Sequence, residues 1–146
     1  MATDESSLLV SSDRALLDVT LIHRFLSEES YWARGRTQAE VEQSIAASAC
    51  VGVYRTGADA SDRTQLAFGR AVTDSVTFAW ICDVFVVPSE RGRGHGRLVM
   101  ESLLAHPSIE NIGTVLLRTK DAHDLYRKLG FELPDPSRYM QLDQSD

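Results

Sequence analysis

The sequence predicts an α/β protein with a mixed, mostly antiparallel sheet of about six to seven strands flanked by about four helices. Apolar residues repeat with a helical period near the N-terminus and switch to the two-residue period of strands near residue 50. The stretch Val76–Val87, VTFAWICDVFVV, is nearly all apolar, the pattern of a central strand covered on both faces. Beyond it, strand and helix patterns alternate, which places helices on both faces of the sheet.

Leu8–Ser11 reads as a short strand. Asp18 is placed to cap a helix whose Leu21, Ile22, Phe25 and Leu26 share one face. Glu28–Arg36, EESYWARGR, breaks that pattern. Thr37–Glu40, TQAE, has the form of a capping box, and Val41 and Ile45 give the helix that follows its apolar stripe. Cys50–Arg55 reads as a strand, 56–63 as a loop, Gln65–Thr73 as a strand, and Asp74–Ser75 as a tight turn into the long strand 76–87. Pro88 ends that strand. Arg91–His106 turns helical, with Leu98, Val99, Leu103 and Leu104 apolar, and Pro107 stops it. Thr114–Arg118 is a strand, Asp121–Leu129 a helix closed by Gly130, and Arg138–Leu142 alternates as a closing strand. The polar ends, 1–7 and 143–146, are expected to fray.

The 146 residues fit one domain, 1–146, with a sizeable core. A formal net charge of −6 and a pI near 5.2 argue against nucleic acid or an anionic membrane as partner, because such binding rewards a basic surface. No apolar run is long enough to span a bilayer, and the start MATDESSLLV reads as neither a signal nor a transit peptide. Cys50 and Cys82 sit in strand-like runs without metal-ligand spacing, so no metal is expected. Buried free thiols point to a reducing, cytoplasmic setting.

Against this acidic background, one basic cluster stands out. Pro88–Leu98, PSERGRGHGRL, lies where the long strand ends and a helix begins. Gly92, Gly94 and Gly96 let backbone approach a ligand, and the helix start offers free amides and partial positive charge to an anion. Arg91, Arg93 and Arg97 suit phosphate oxygens. The segment lacks the Gly-Lys-Ser/Thr of a Walker loop and the GxGxxG spacing of a dinucleotide fingerprint.

Here the sequence resembles the GNAT superfamily of N-acetyltransferases. Arg91-Gly92-Arg93-Gly94-His95-Gly96 matches its acetyl-CoA signature, Arg/Gln-x-x-Gly-x-Gly/Ala after a long strand. Leu125-Tyr126-Arg127-Lys128-Leu129-Gly130-Phe131 matches a second family region, Leu-Tyr-x-x-x-Gly-Phe. The resemblance covers roughly residues 65–142 and implies an N-acetyltransferase that uses acetyl-CoA as co-substrate and an amine as acceptor. It implies that the backbone of Val84, Phe85 and Val86 pairs with the pantetheine arm, and that Arg91 to Arg97, His95 among them, hold the pyrophosphate. The family's usual Asn after the next strand is replaced by Thr119, whose hydroxyl can make the contact. Members often dimerise, so the resemblance allows a homodimer.

Acetyl transfer to an amine needs a neutral amine, a donor for the oxyanion, and a proton for the departing thiolate. A strand-edge amide near Val84–Val86 suits the second task. Tyr126 suits the third by family position and phenol chemistry, whereas helix geometry alone makes it a core tyrosine. Asp83, the one carboxylate inside 76–87, is the candidate general base if burial raises its pKa; otherwise it is a structural hydrogen-bonding group. Glu28–Arg36 is the candidate acceptor segment, with Tyr31 and Trp32 as an aromatic wall and Glu28 or Glu29 attracting a cationic amine, or else it is an ordinary helix-to-helix loop with buried aromatics. A module that binds or senses acyl-CoA without catalysis is the alternative function.

Overall fold

The computed structural model describes residues 7–59 and 61–145, so the fraying expected of 1–6 and 146 lies outside the described residues. Four strands follow one another as an antiparallel meander: β1 (Ser7–Ser11), β2 (Ala49–Thr56), β3 (Arg63–Thr73) and β4 (Ala79–Val86). A helical crossover then lays β5 (Val115–Leu117) parallel to β4, so order in the sheet equals order in the chain. Helices α1 (Val19–Arg24) and α2 (Gln38–Ala46) precede β2, α3 (His95–Leu104) joins β4 to β5, and α4 (His123–Lys128) follows β5. The architecture is the expected one with fewer strands: five among the described residues, not six or seven, and four helices.

The helix starts are local chemistry. Asp18 accepts a hydrogen bond from the Leu21 amide at 3.0 Å. Thr37 Oγ1 accepts from the Glu40 amide at 3.1 Å while Glu40 Oε1 accepts from the Thr37 amide at 3.0 Å, closing the capping box. After α1 the chain widens into a π-helical turn, Phe25–Glu29, and Ser30 Oγ donates to the Leu26 carbonyl at 2.6 Å.

Each face of the sheet has its own core. On one, Ile22, Phe25, Leu26, Val41 and Ile45 from the α1–α2 layer pack on Cys50, Phe68 and Phe85. The Phe25 and Phe85 rings stack 4.1 Å apart. On the other, Val99, Met100 and Leu103 of α3 pack on Val51, Val53, Ala67, Ala71 and Ile81. Gly69 is what lets α3 come so close: a Cβ there would collide with the Val99 side chain and lie 3.2 Å from both Leu103 Cδ1 and Val84 Cγ2.

Three elements depart from the sequence reading. The long strand begins at Ala79, not Val76, because the Asp74 carboxylate accepts from the amides of Val76 (2.9 Å) and Thr77 (2.7 Å) and holds them in a loop. The helix read from Arg91 begins at His95, because Gly92 (φ 80°) and Gly94 (φ 83°) are left-handed. Arg138–Leu142 is not a strand: Pro136–Arg138 forms a short 3₁₀ turn, and Met140 and Leu142 are exposed. An alternating pattern without a partner strand makes no ladder.

Candidate functional site

The site begins with an irregularity in β4. Phe68 pairs with Phe85 and Arg70 with Cys82, so two β4 residues, Asp83 and Val84, face the single Gly69. Asp83 takes φ 55°, one of two left-handed non-glycine residues described. The bulge reverses the strand's parity. Ile81 and Val84 both pack in the core beneath α3, although three residues apart on a regular strand they would face opposite ways. Asp83 is thereby turned out of that apolar core towards Arg70, Arg36 and Trp32.

Those three side chains occupy its carboxylate. Oδ2 accepts from Arg36 Nη1 at 2.6 Å and from Arg70 Nε at 2.7 Å, and Oδ1 accepts from Trp32 Nε1 at 2.8 Å. Burial pushes the Asp83 pKa up, but the opposing pull of Arg70 and Arg36 with the Trp32 hydrogen bond outweighs it, so the pKa lies below the ordinary aspartate value. This corrects the expectation that burial tunes Asp83 towards a neutral-pH base.

The bulge also opens the sheet. β5 pairs with β4 only at Ala79–Ile81. Past Ile81 no described residue pairs with this edge of β4, and a cleft of about 650 Å³ lies there, lined by Tyr31, Trp32, Asp83, Val84, Thr119 and Tyr126 among others. The Val87 amide donates to Leu66 on β3 at 2.8 Å, so strand alternation directs the amides of Val86 and Val84 to the open side and that of Phe85 to β3. Of the three edge residues expected to meet a ligand through their amides, two therefore can; Phe85 serves with its buried ring.

Tyr126 stands on the opposite wall, on α4. Its ring packs on the α3-side core and lies edge-to-face with Phe131, centroids 5.9 Å apart. Burial, with Tyr31 and Asp121 adding to it, pushes its phenol pKa up, so the group stays protonated at neutral pH. Its hydroxyl makes no hydrogen bond to the described residues. Thr119 accepts from the Ala122 amide at 3.0 Å through Oγ1, which leaves its own proton free to donate.

At the far end of that edge lies the glycine turn. The amides of residues 92–97 donate to no partner among the described residues, the Arg91 amide bonds back to Pro88, and the first α3 bond runs from Leu98 to Gly94. A Cβ at Gly92 or Gly94 would meet nothing within 4 Å, so the amides open on free space. Gly96 faces Val86 and Leu125, which sets the turn against β4 and α4, the elements that carry the cleft residues Val84 and Tyr126. Beneath it Glu90 is buried, bonded to Arg55 and 3.2 Å from Arg93, so the Arg55 hydrogen bond holds its pKa low. Arg97 pairs with Glu101 at 2.6 Å, whereas Arg91 makes no ion pair among the described residues. His95 is buried with both ring nitrogens unpartnered, so its amide rather than its imidazole faces the turn's open side.

Of the sequence-derived residues, Tyr31, Trp32, Asp83, Val84, Thr119 and Tyr126 line the cleft, Val86 and the glycine turn lie further along β4, and the Phe85 ring turns to the opposite core. Glu28 lies on the π-helical turn and does not line the cleft. Tyr31 and Trp32 do, edge-to-face at 5.0 Å, with Tyr31 Oη accepting from the Lys120 amide at 3.1 Å. Arg36, the end of the Glu28–Arg36 segment, lines it too, and missing from the sequence reading were Arg70, Trp80, Cys82, Arg118 and Lys120. No local spacing marks them, because they come together from the sheet and the segment after β5.

The family model of the acetyltransferase (GNAT) domain matches residues 38–133. A Gibberella zeae protein named as an acetyltransferase is 30% identical over 141 residues, covering 85% of this chain and 78% of the relative. The rice (Oryza sativa subsp. japonica) chloroplastic serotonin N-acetyltransferase 2 is 39% identical over 85 residues, which span 57% of this chain but only 42% of the rice protein. A solved Xanthomonas campestris pv. campestris protein of the GNAT family superposes with a TM-score of 0.85 at 39% identity, covering 94% of this chain and 93% of that one.

Proposed function

The chain belongs to the GNAT acetyltransferase family, and from that premise we propose that it moves the acetyl group of acetyl-CoA to a primary amine by direct attack within a ternary complex. The observation that carries the reading is an alignment along β4: an edge at Val84 and Val86 with no described strand beside it leads to a turn whose six amides have no partner among the described residues. A diphosphate fits such a turn, which combines helix-start amides, glycines without side-chain bulk and flanking arginines. When bound, acetyl-CoA supplies an activated thioester carbonyl.

The chain's own groups then divide the work. The amides of residues 92–97, with Arg91 and Arg93 beside them, hold the pyrophosphate. The Val86 amide pairs with the pantetheine arm, and the Val84 amide donates to the carbonyl oxygen as it gains charge. Thr119 donates its hydroxyl proton to the arm from the β5 side. Tyr126 gives its phenol proton to the departing sulfur. Asp83, ionised and fully engaged, keeps Arg36, Arg70 and Trp32 in place, and the amine loses its proton to water. No step calls for a metal. All 146 residues act as one domain, and two free thiols, Cys50 buried and Cys82 beside the cleft, suit a reducing cytoplasm.

Melting with acetyl-CoA, CoA and ATP, together with thiol release over an amine panel, tests this. Acetyl-CoA at 100-fold over Kd should add about 2.7 kcal/mol, and ATP should add little. Equal shifts from ATP and acetyl-CoA would defeat the cofactor reading. Stabilisation by acetyl-CoA without thiol release for any amine would leave a binding module instead.

A further inference from the structure

We propose that the acceptor amine carries an anionic group, a carboxylate or a phosphate, which Arg36 and Arg70 bind at the floor of the cleft. This inference rests on the acceptor reading of that cleft. The chain as a whole is acidic, at −6, yet the cleft is lined by Arg36, Arg70, Arg118 and Lys120 against only Asp83 and Asp121. The acids expected to attract a cationic amine, Glu28 and Glu29, do not line it.

The surplus of positive charge is sharpest at Asp83. Two guanidiniums converge on one carboxylate oxygen, and the other oxygen is taken by Trp32. One negative charge answers two positive ones. Arg36 gives one N–H to Asp83; Arg70 gives one to Asp83 and one to Ser48 Oγ at 3.1 Å. Each guanidinium has five N–H donors, and the remainder have no partner among the described residues. Their side chains are only 24% and 12% exposed, so bulk water hydrates them poorly and an anion presented by a ligand gains much.

The position separates this charge from the cofactor's phosphates. Arg70 pairs in register with Cys82, whereas the glycine turn meets β4 at Val86, which pairs with Ala67, three β3 residues and roughly 10 Å further along at strand spacing. Tyr31, Trp32 and Trp80 supply apolar wall beside the arginines. A ligand placed there would set its anion on the guanidiniums, and the same surplus charge would favour the neutral amine that attack requires.

Matched pairs of amines that differ only in the anion decide the matter. Tryptophan against tryptamine, and glucosamine 6-phosphate against glucosamine, would be titrated calorimetrically into CoA-saturated protein and assayed by thiol release. At least one anion-bearing member should bind ten-fold or more tighter than its partner without the anion, and which pair responds tells carboxylate from phosphate. Arg36→Gln should bring that ratio to within about three-fold while CoA affinity holds. The wild-type ratios stand even if that variant folds poorly. Equal or tighter binding of the members without the anion, no measurable binding of either anion-bearing member at millimolar concentration, or a ratio unchanged in a folded Arg36→Gln protein would each overturn the proposal. Anion-dependent binding without acetyl transfer would remove the transferase reading and leave the anion site. Transfer to amines that lack the anion, with no anion preference, would do the reverse.

Discussion

Asp83 and Arg70 meet across the β-bulge, with Oδ2 2.7 Å from Nε, and the residue that makes this bond holds its own backbone at φ 55°. A left-handed aspartate costs free energy, and the ion pair offsets it. Strain and charge are therefore coupled at one strand position.

Asp83→Asn should destabilise the fold by about 3 kcal/mol at pH 7, because two poorly hydrated guanidiniums lose their counter-charge. The Asp83 pKa is lower folded than unfolded, so on acidification the unfolded chain takes up the proton first. The contribution is whole above about pH 4, the ordinary aspartate range, and fades as the pH falls below it. Urea unfolding of both proteins at pH 7, 5 and 3 should give a gap that persists at pH 5 and narrows at pH 3. Equal stability at pH 7 would mean that the cluster contributes nothing.

Tyr126→Phe should leave stability nearly unchanged, since the hydroxyl bonds to none of the described residues and the ring keeps its contact with Phe131. The acetyl-CoA KM should stay within a few-fold while kcat falls by roughly 10²-fold, the lower range for lost general acid catalysis. A wild-type kcat would mean that the sulfur leaves unaided or through water.

Gly94→Ala should cost about 1 kcal/mol, since alanine resists the φ of 83° although its methyl group meets nothing. Gly94→Glu adds negative charge where the amides open and should abolish acetyl-CoA binding while the protein still melts cooperatively. Unchanged affinity in the glutamate variant would take the turn out of the site.

Gly69→Ala should cost 1–3 kcal/mol, roughly the range for overpacking, since its methyl group would strike the Val99 side chain. Because α3 carries the turn, acetyl-CoA affinity should fall in the same variant. Normal affinity in a destabilised variant would show that α3 can shift without moving its N-terminus.

Local chemistry made much of this readable in advance. The Asp18 cap and the Thr37–Glu40 box draw their bonds from a few neighbouring residues, and the Gly92–Gly96 turn takes its shape from its own glycines; sequence displays neighbours. The bulge was not readable. Nothing in CDVFVV says that Asp83 turns left-handed, and its partners lie 13, 47 and 51 residues away. The pKa expectation failed for the same reason: burial is legible from an apolar run, whereas the arginines that reverse its effect come from other elements. Arg138–Leu142 shows the converse error, a strand pattern that finds no strand to pair with.

The three-residue ladder between β4 and β5 bears on how the molecule opens. The meander β1–β4 joins chain neighbours through long ladders between two cores, while β5 hangs on three parallel pairs and α4 has no fully buried residue. Amide exchange should thus divide the chain, with β2 and β3 protected up to global unfolding and residues 115–131 exchanging through a cheaper, partial opening. The wall that carries Thr119 and Tyr126 belongs to that weaker unit. A ligand that bridges β4 to this wall would fasten it, so heat should erase activity some degrees before the sheet itself melts, and bound cofactor should narrow that interval.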